Sequence, residues 1–148
     1  MNSEQILTIF SHVCLGLEAT HSRNRVHRNI SSGHVLLSQE GGVTQLTGHA
    51  CVTFKVQREK LREKVYLGEY YYLSPEFASG KHPYTFACDI WSLGMLLLEM
   101  CVRKKPELDI KGDEFGRPFT LAQIQAKEHH KIPMQYSKLI HDLLEALL

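Results

Sequence analysis

Hydrophobic residues near the start of the chain recur at helical spacing. Ile6, Phe10, Val13 and Leu17 are separated by four, three and four residues, which places them on one face of a helix. The pattern predicts an amphipathic helix over residues 3–22, with Ser3 capping its first turn.

Two further segments have helical patterns. Residues 88–103 are apolar almost all round, which is typical of a central, buried helix, and Asp89 lies near its start. Residues 136–148 form a second amphipathic pattern, the last of the chain, and we expect its apolar positions to share one face. Those positions are Leu139, Ile140, Leu143, Leu144 and Leu147.

The intervening segments contain shorter elements. Two brief apolar runs, Val35–Leu37 and Val43–Leu46, are separated by a pair of glycines and predict a small β-hairpin. Residues 51–73 show no clean period, and we expect a long exposed segment with one helical turn at most. Residues 120–127 suit a short helix.

Composition narrows the class of protein. The chain has 148 residues, an apolar fraction of 43% and a formal net charge of +1, which suit a folded domain without a general affinity for nucleic acid. Its four cysteines form no CxxC pair, so we expect reduced thiols. The most apolar run, Leu93–Met100, is too short to span a membrane, and no signal peptide opens the chain. These features predict a soluble, cytoplasmic protein.

Several motifs follow one another in a recognisable order. They are HRN at residues 27–29, VLL at 35–37, TQLTGHA at 44–50, LGEYYYLSPE at 67–76 and DIWSLGMLLLEM at 89–100. In order and spacing this set resembles the C-terminal lobe of the protein kinases. The resemblance implies a mainly α-helical lobe with a small β-hairpin, covering residues 1–148 as a partial kinase-like domain from the family's E helix to about its H helix. It also implies that the N-terminal lobe is absent, as expected of a fragment, a short isoform or an incomplete gene model.

The residues that build the family's scaffold are present. By the resemblance, Asp89 holds the backbone of the catalytic loop, Trp91 shares its helix, and His27 packs beneath the loop. Arg28 stands where the family binds a phosphorylated residue of the activation segment. Glu76 stands in the family's Ala-Pro-Glu motif, and its arginine partner would lie beyond the end of this chain.

The residues that perform the family's chemistry are replaced. Asn29 stands at the position of the proton-accepting aspartate, and a neutral amide is not a base near pH 7. Ser31 stands in place of the phosphate-stabilising lysine. His34 and Gly48 stand in place of the two magnesium ligands, although magnesium prefers oxygen donors. Glu69 replaces a hydroxyl residue that faces the catalytic aspartate, and would repel a substrate phosphate if it pointed inward.

This combination predicts a pseudokinase, a catalytically inactive module that acts through protein interaction or regulation and needs no cofactor. The alternative is an atypical serine/threonine kinase, which would use ATP and magnesium and would need Asn29 or His34 to take over a lost role. A third alternative is a chain that depends on a protein partner, or on the missing lobe, to fold.

Three smaller hypotheses stay open. His27, His34 and His49 could approach one another around a metal ion, although no paired ligand spacing supports zinc. Cys51 is either a reactive thiol or a small buried residue. Position alone also allows several residues to accept a phosphate, and the alternative is that Tyr72 and its neighbours pack beneath the segment. The candidate acceptors are Thr53, Tyr66, Tyr70, Tyr71 and Tyr72.

Overall fold

Four α-helices and four short strands make up the described part of the chain. A computed structural model describes residues 1–38, 44–49, 53–54, 69–78, 82–103 and 134–148. In chain order the elements are α1 (Ser3–His21), β1 (Arg25–Val26), β2 (Val35–Leu37), β3 (Thr44–Leu46), β4 (Thr53–Phe54), α2 (Pro75–Ala78), α3 (Phe86–Val102) and α4 (Lys138–Leu147). Short 3-10 helices lie at Ser32–His34 and Tyr70–Tyr72. No helix among these residues is long and apolar enough to cross a membrane.

Helix α1 buries the predicted face but is capped by a different residue. Ile6, Phe10, Val13 and Leu17 are all buried. The N-cap is Asn2, not Ser3: Asn2 Oδ1 accepts a hydrogen bond from the Gln5 backbone N–H at 2.9 Å, and Gln5 returns one to the Asn2 backbone. This reciprocal pair requires an amide or carboxylate side chain three residues after the cap, and Gln5 stands at that distance from Asn2.

Helix α3 is the central helix, as its composition predicts. Six consecutive residues, Leu93–Leu98, are each buried. Gly94 permits a close approach of α4 to α3, since a β-carbon at position 94 would lie 2.9 Å from the β-carbon of Leu147 on α4. Apolar surface buried on several sides at once gives this helix the largest share of the core.

Helix α4 begins two residues later than the sequence pattern indicates. Ser137 is its N-cap, and Tyr136 lies outside the helix, where its hydroxyl donates to the backbone oxygen of Cys101 at 2.8 Å. Ile140 and Leu144 are buried, whereas Leu139 is 54% exposed. The expectation that Leu139 shares the buried face was wrong, because one residue along a helix turns the side chain by about 100° away from Ile140.

The strands form two small antiparallel pairs. Strands β2 and β3 pair in the predicted hairpin, with Val35 opposite Leu46, and β1 pairs with β4. A β-carbon at Gly16 would lie 3.1 Å from that of Leu46, so the glycine lets the hairpin pack closely on α1.

The expectation of an exposed segment over residues 51–73 was wrong at its end. Tyr72 and Leu73 are buried, because a 3-10 turn folds them against α3. Most of residues 51–68, including Cys51 and Tyr66, and the predicted helix at 120–127 lie outside the described residues.

Candidate functional site

Asp89, in the first turn of α3, is the centre of a buried hydrogen-bond network. Its carboxylate is fully buried and accepts from the backbone N–H groups of His27 at 2.8 Å and Arg28 at 2.9 Å. The side chains of His21 and Tyr84 donate to the same carboxylate, each at 2.8 Å. Four donors compensate the charge for its loss of hydration, so this carboxylate joins α1, α3 and the loop that follows β1.

The loop after β1, residues 27–31, is buried throughout. Arg28 adopts a left-handed backbone with φ of 68°, and its guanidinium lies 6.0 Å from the centre of the Tyr84 ring. A positive φ is unfavourable for arginine, and the bonds that Asp89 accepts from the N–H groups of Arg28 and the preceding His27 hold it there.

His27 is fully buried beneath this loop and is a neutral imidazole near pH 7. Burial lowers the pKa of His27 to about 4, with the Asp89 carboxylate opposing the shift and His49 adding to it. Its Nδ1 accepts from the Asn29 backbone N–H at 3.3 Å. The expectation that His27 packs under the loop agrees with this placement.

The structure brings Asn29, Ser31 and His34 into direct contact. His34 Nδ1 lies 3.0 Å from Ser31 Oγ, and His34 Nε2 lies 3.3 Å from Asn29 Nδ2. The neutral tautomer with its proton on Nδ1 satisfies both, since it donates to Ser31 and accepts from Asn29. The ring is therefore held on both nitrogens by two buried neighbours.

Gly48 lies directly against the His34 ring of the same cluster. Its backbone has φ of +85°, and a β-carbon there would lie 2.8 Å from His34 Cδ2. The four positions that the resemblance assigns to catalytic groups thus form one connected group around the His34 ring. The functional groups that it presents are an amide, a hydroxyl and an imidazole, with no carboxylate or amine.

A second polar group connects the loop to the far end of α3. The Tyr72 hydroxyl donates to Glu99 Oε2, and it receives a hydrogen bond from the Ser32 backbone N–H at 3.1 Å. Ser92 donates to the Tyr72 backbone oxygen at 2.8 Å. Burial together with the neighbouring Glu99 carboxylate raises the pKa of Tyr72 well above its usual range. Tyr72 is 0% exposed, which confirms that it packs beneath its segment.

The remaining predicted residues lie around these two groups. Glu69 points towards the loop, since a β-carbon at Gly33 would lie 3.6 Å from its Oε1. Glu76 has a hydrogen-bond partner within the chain, since its Oε1 accepts from Cys88 Sγ at 3.3 Å. Trp91 is half-buried and packs against the core.

The three histidines considered for metal binding only partly converge. The rings of His27 and His49 meet edge to face, with centroids 5.2 Å apart. Within the described ranges, no group of three histidine, cysteine or acidic residues has the geometry to hold a metal ion.

Several partners in these networks could not be read from the sequence. His21 and Tyr84 share the Asp89 carboxylate, but they lie 68 and five residues from it, and neither spacing is distinctive. The Tyr72–Glu99 pair joins residues 27 positions apart, and no sequence pattern links them. The resemblance gave a role to each of Asn29, Ser31 and His34 but no contact between them.

Comparison with known proteins assigns the family. The protein kinase domain family matches residues 1–148, and the chain belongs to it. The solved structure of the PK-1 kinase of the Cydia pomonella granulovirus superposes on 99% of this chain and 52% of its own, with a TM-score of 0.80 at 18% sequence identity. The chain therefore has the mainly helical kinase-like fold, with a small hairpin, that its motifs predict.

Similar sequences carry the names of serine/threonine kinases. Human serine/threonine-protein kinase Nek5 is 37% identical over 105 residues, which are 71% of this chain and 14% of that protein. The Dictyostelium discoideum serine/threonine-protein kinase pakC is 33% identical over 109 residues, which are 74% of this chain and 22% of that protein. The chain thus spans less than a quarter of the length of these two relatives.

Proposed function

We propose that this chain is a catalytically inactive member of the protein kinase family, which acts as a protein-interaction or regulatory module. The observation that carries the proposal is the cluster around His34. Each of the four positions that the resemblance assigns to a catalytic group has a residue unsuited to that role, and these residues lie around the His34 ring.

Proton transfer is the first function affected. Phosphoryl transfer to a hydroxyl needs a carboxylate that orients the nucleophile and accepts its proton. Asn29 stands at that position, and its amide nitrogen is engaged with His34. An amide has no basic lone pair in the physiological pH range, so Asn29 does not take this role.

Magnesium binding is the second function affected. The family uses magnesium with ATP, and both protein ligands supply oxygen. Here the corresponding residues are His34 and Gly48, which offer an imidazole and no side chain. This donor set does not fit magnesium. The positive charge that a lysine supplies to the transferring phosphate is also missing at Ser31.

The residues that support this cluster keep their contacts by contrast. The Asp89 carboxylate keeps four hydrogen bonds, and Tyr72 and Ser92 link the following segment to α3. A fold that keeps its internal supports but not its catalytic groups suits a role in binding. Such a fold can present a surface that other proteins recognise, with the loop as its rigid support.

The second candidate is an atypical serine/threonine kinase. The names of the similar proteins favour it, since they are serine/threonine kinases over the matched region. It requires His34 to accept the hydroxyl proton, because an imidazole is the one basic group in the cluster.

A phosphate-transfer assay separates the two candidates. It uses the 148-residue chain and the longest natural form that contains it, with radiolabelled ATP, magnesium or manganese, and a generic protein substrate. The proposal predicts no transfer above a heat-denatured control. The catalytic domain of an active relative serves as the positive control.

Transfer that disappears in a His34→Ala or Asn29→Ala variant, with a wild-type melting curve, would establish the kinase alternative. Transfer that survives both substitutions would point to a contaminating kinase. The protein would then be repurified, and phosphate transfer by the repurified sample would contradict the proposal.

A further inference from the structure

We infer that His34 and Gly48 form a steric interlock, in which the imidazole of His34 excludes any side chain at position 48. This inference deepens the proposed function and rests on it for its biological meaning. It concerns the packing of the loop, however, and it can be tested without any measurement of catalysis.

The distances leave no room for a side chain. A β-carbon at Gly48 would lie 2.8 Å from His34 Cδ2, 2.9 Å from Cγ and 3.3 Å from Nε2. Ordinary contacts between carbon atoms begin near 3.5 Å. The obstacle is the ring itself, close to its attachment point, so a small rotation of the side-chain tip does not remove the clash.

The His34 ring is also prevented from moving away. Ser31 and Asn29, both buried, hold its two nitrogens at 3.0 and 3.3 Å. The backbone is fixed as well, since the His34 carbonyl oxygen accepts from the Thr47 N–H at 2.8 Å and from the Thr47 hydroxyl at 3.1 Å. These bonds tie position 34 to the residue next to Gly48, so the two segments cannot separate without breaking them.

The interlock has a consequence for the lost chemistry. A carboxylate at position 48 cannot be regained by one substitution, because its β-carbon would collide with His34. The two metal-ligand positions must therefore change together. A single return to aspartate at position 48 damages the loop before it can serve any chemistry.

A double-mutant cycle tests the interlock. The cycle compares the thermal melting of the wild type, Gly48→Ala, His34→Ala and the double variant, all in the 148-residue chain. When His34 is present, the alanine at position 48 suffers both the clash with the ring and the unfavourable positive φ. Gly48→Ala alone should therefore lower the melting temperature by roughly 6–10 °C. In the His34→Ala background only the backbone strain remains, and the fall should be about 3 °C.

Gly33→Ala is the matched control. Its β-carbon would meet only ordinary contacts, at 3.6 Å to Glu69 Oε1 and 3.7 Å to Ser31 Oγ. This substitution should shift the melting temperature by the same small amount in both backgrounds. An equal loss for Gly48→Ala in both backgrounds would overturn the interlock.

A second pair of variants covers the case in which Gly48→Ala does not fold. Gly48→Asp should then lose its cooperative transition, and His34→Asn combined with Gly48→Asp should regain it. If the combined variant is also unfolded, the interlock is wrong. The result is independent of phosphate transfer, so the interlock and the proposed function can fail separately.

Discussion

The carboxylate of Asp89 holds the backbone N–H of Arg28 at 2.9 Å, across 61 residues of sequence. The same carboxylate bonds the neighbouring N–H of His27. Arg28 has φ of 68°, a left-handed conformation that is unfavourable for arginine. The two bonds to Asp89 stabilise this conformation. The shape of the loop therefore depends on a side chain of α3 more than on the loop's own sequence.

Substitution of Asp89 should be among the most damaging changes in the chain. Asp89→Ala leaves two buried backbone N–H groups and two partly buried side-chain donors without their acceptor, and should cost about 3–5 kcal/mol of unfolding free energy. Urea denaturation measures the loss. Asp142→Asn, at an exposed position of α4, is the control and should change stability by less than about 0.5 kcal/mol. Similar losses for both variants would contradict the role given to Asp89.

The adjacent tyrosines 71 and 72 provide a matched pair. Tyr72→Phe removes the hydroxyl that bonds Glu99 and Ser32, and should cost about 1–3 kcal/mol because a charged acceptor loses its donor. Tyr71 has a buried hydroxyl with no hydrogen-bond partner among the described residues. Tyr71→Phe should therefore be neutral or slightly stabilising in the same denaturation experiment. The reverse order of effects would show that the hydroxyl contacts are misassigned.

Stability should fall in mild acid because of His27. Its pKa is about 4 in the folded chain, below the ordinary value of 6.5, so the unfolded state binds more protons between these values. His27 therefore costs no stability above about pH 6.5, and the folded state loses roughly 3 kcal/mol relative to the unfolded state as the pH falls towards 4.

Denaturation midpoints from pH 7.5 to pH 4 test the titration of His27. His27→Gln removes the titrating group, and its stability should depend less steeply on pH over this window. A variant with the same slope as the wild type would assign the acid sensitivity to other groups.

Gly94 should resist substitution although alanine favours helices. In an exposed helix, Gly→Ala would gain up to about 1 kcal/mol. Here the new β-carbon would lie 2.9 Å from Leu147 Cβ, so the substitution should instead cost about 1–3 kcal/mol as α4 moves away from α3. Thermal melting measures the change, and a raised melting temperature would show that α4 is not seated on Gly94.

Much of the architecture follows from local sequence patterns. The apolar spacing of α1 and the largely apolar composition of α3 each report burial directly, and both helices are confirmed. The runs of β2 and β3 pair as predicted, although Leu36 and Leu37 of β2 are exposed. The failures share a cause. The Asn2 cap, the exposed Leu139 and the buried Leu73 depend on side-chain partners or on the exact orientation of an element, which hydrophobic periodicity does not encode.

The candidate site was predictable as a set of positions but not as a structure. The motif order locates Asn29, Ser31, His34 and Gly48, because each stands at a fixed distance from a recognisable neighbour. Nothing in that order indicates that His34 bonds both Asn29 and Ser31 and covers Gly48. Contacts across a loop come from backbone geometry, and the left-handed Arg28 and Gly48 set that geometry here.

We propose that this loop no longer supports magnesium-dependent nucleotide binding, and a melting experiment tests this proposal. The longest natural form containing residues 1–148 is melted with excess ATP, once with magnesium and once with a chelator. A magnesium-ATP complex at 100 times its dissociation constant would add about 2.7 kcal/mol. We expect a cooperative transition at the same temperature in both samples. A transition that rises only when magnesium is present would contradict it.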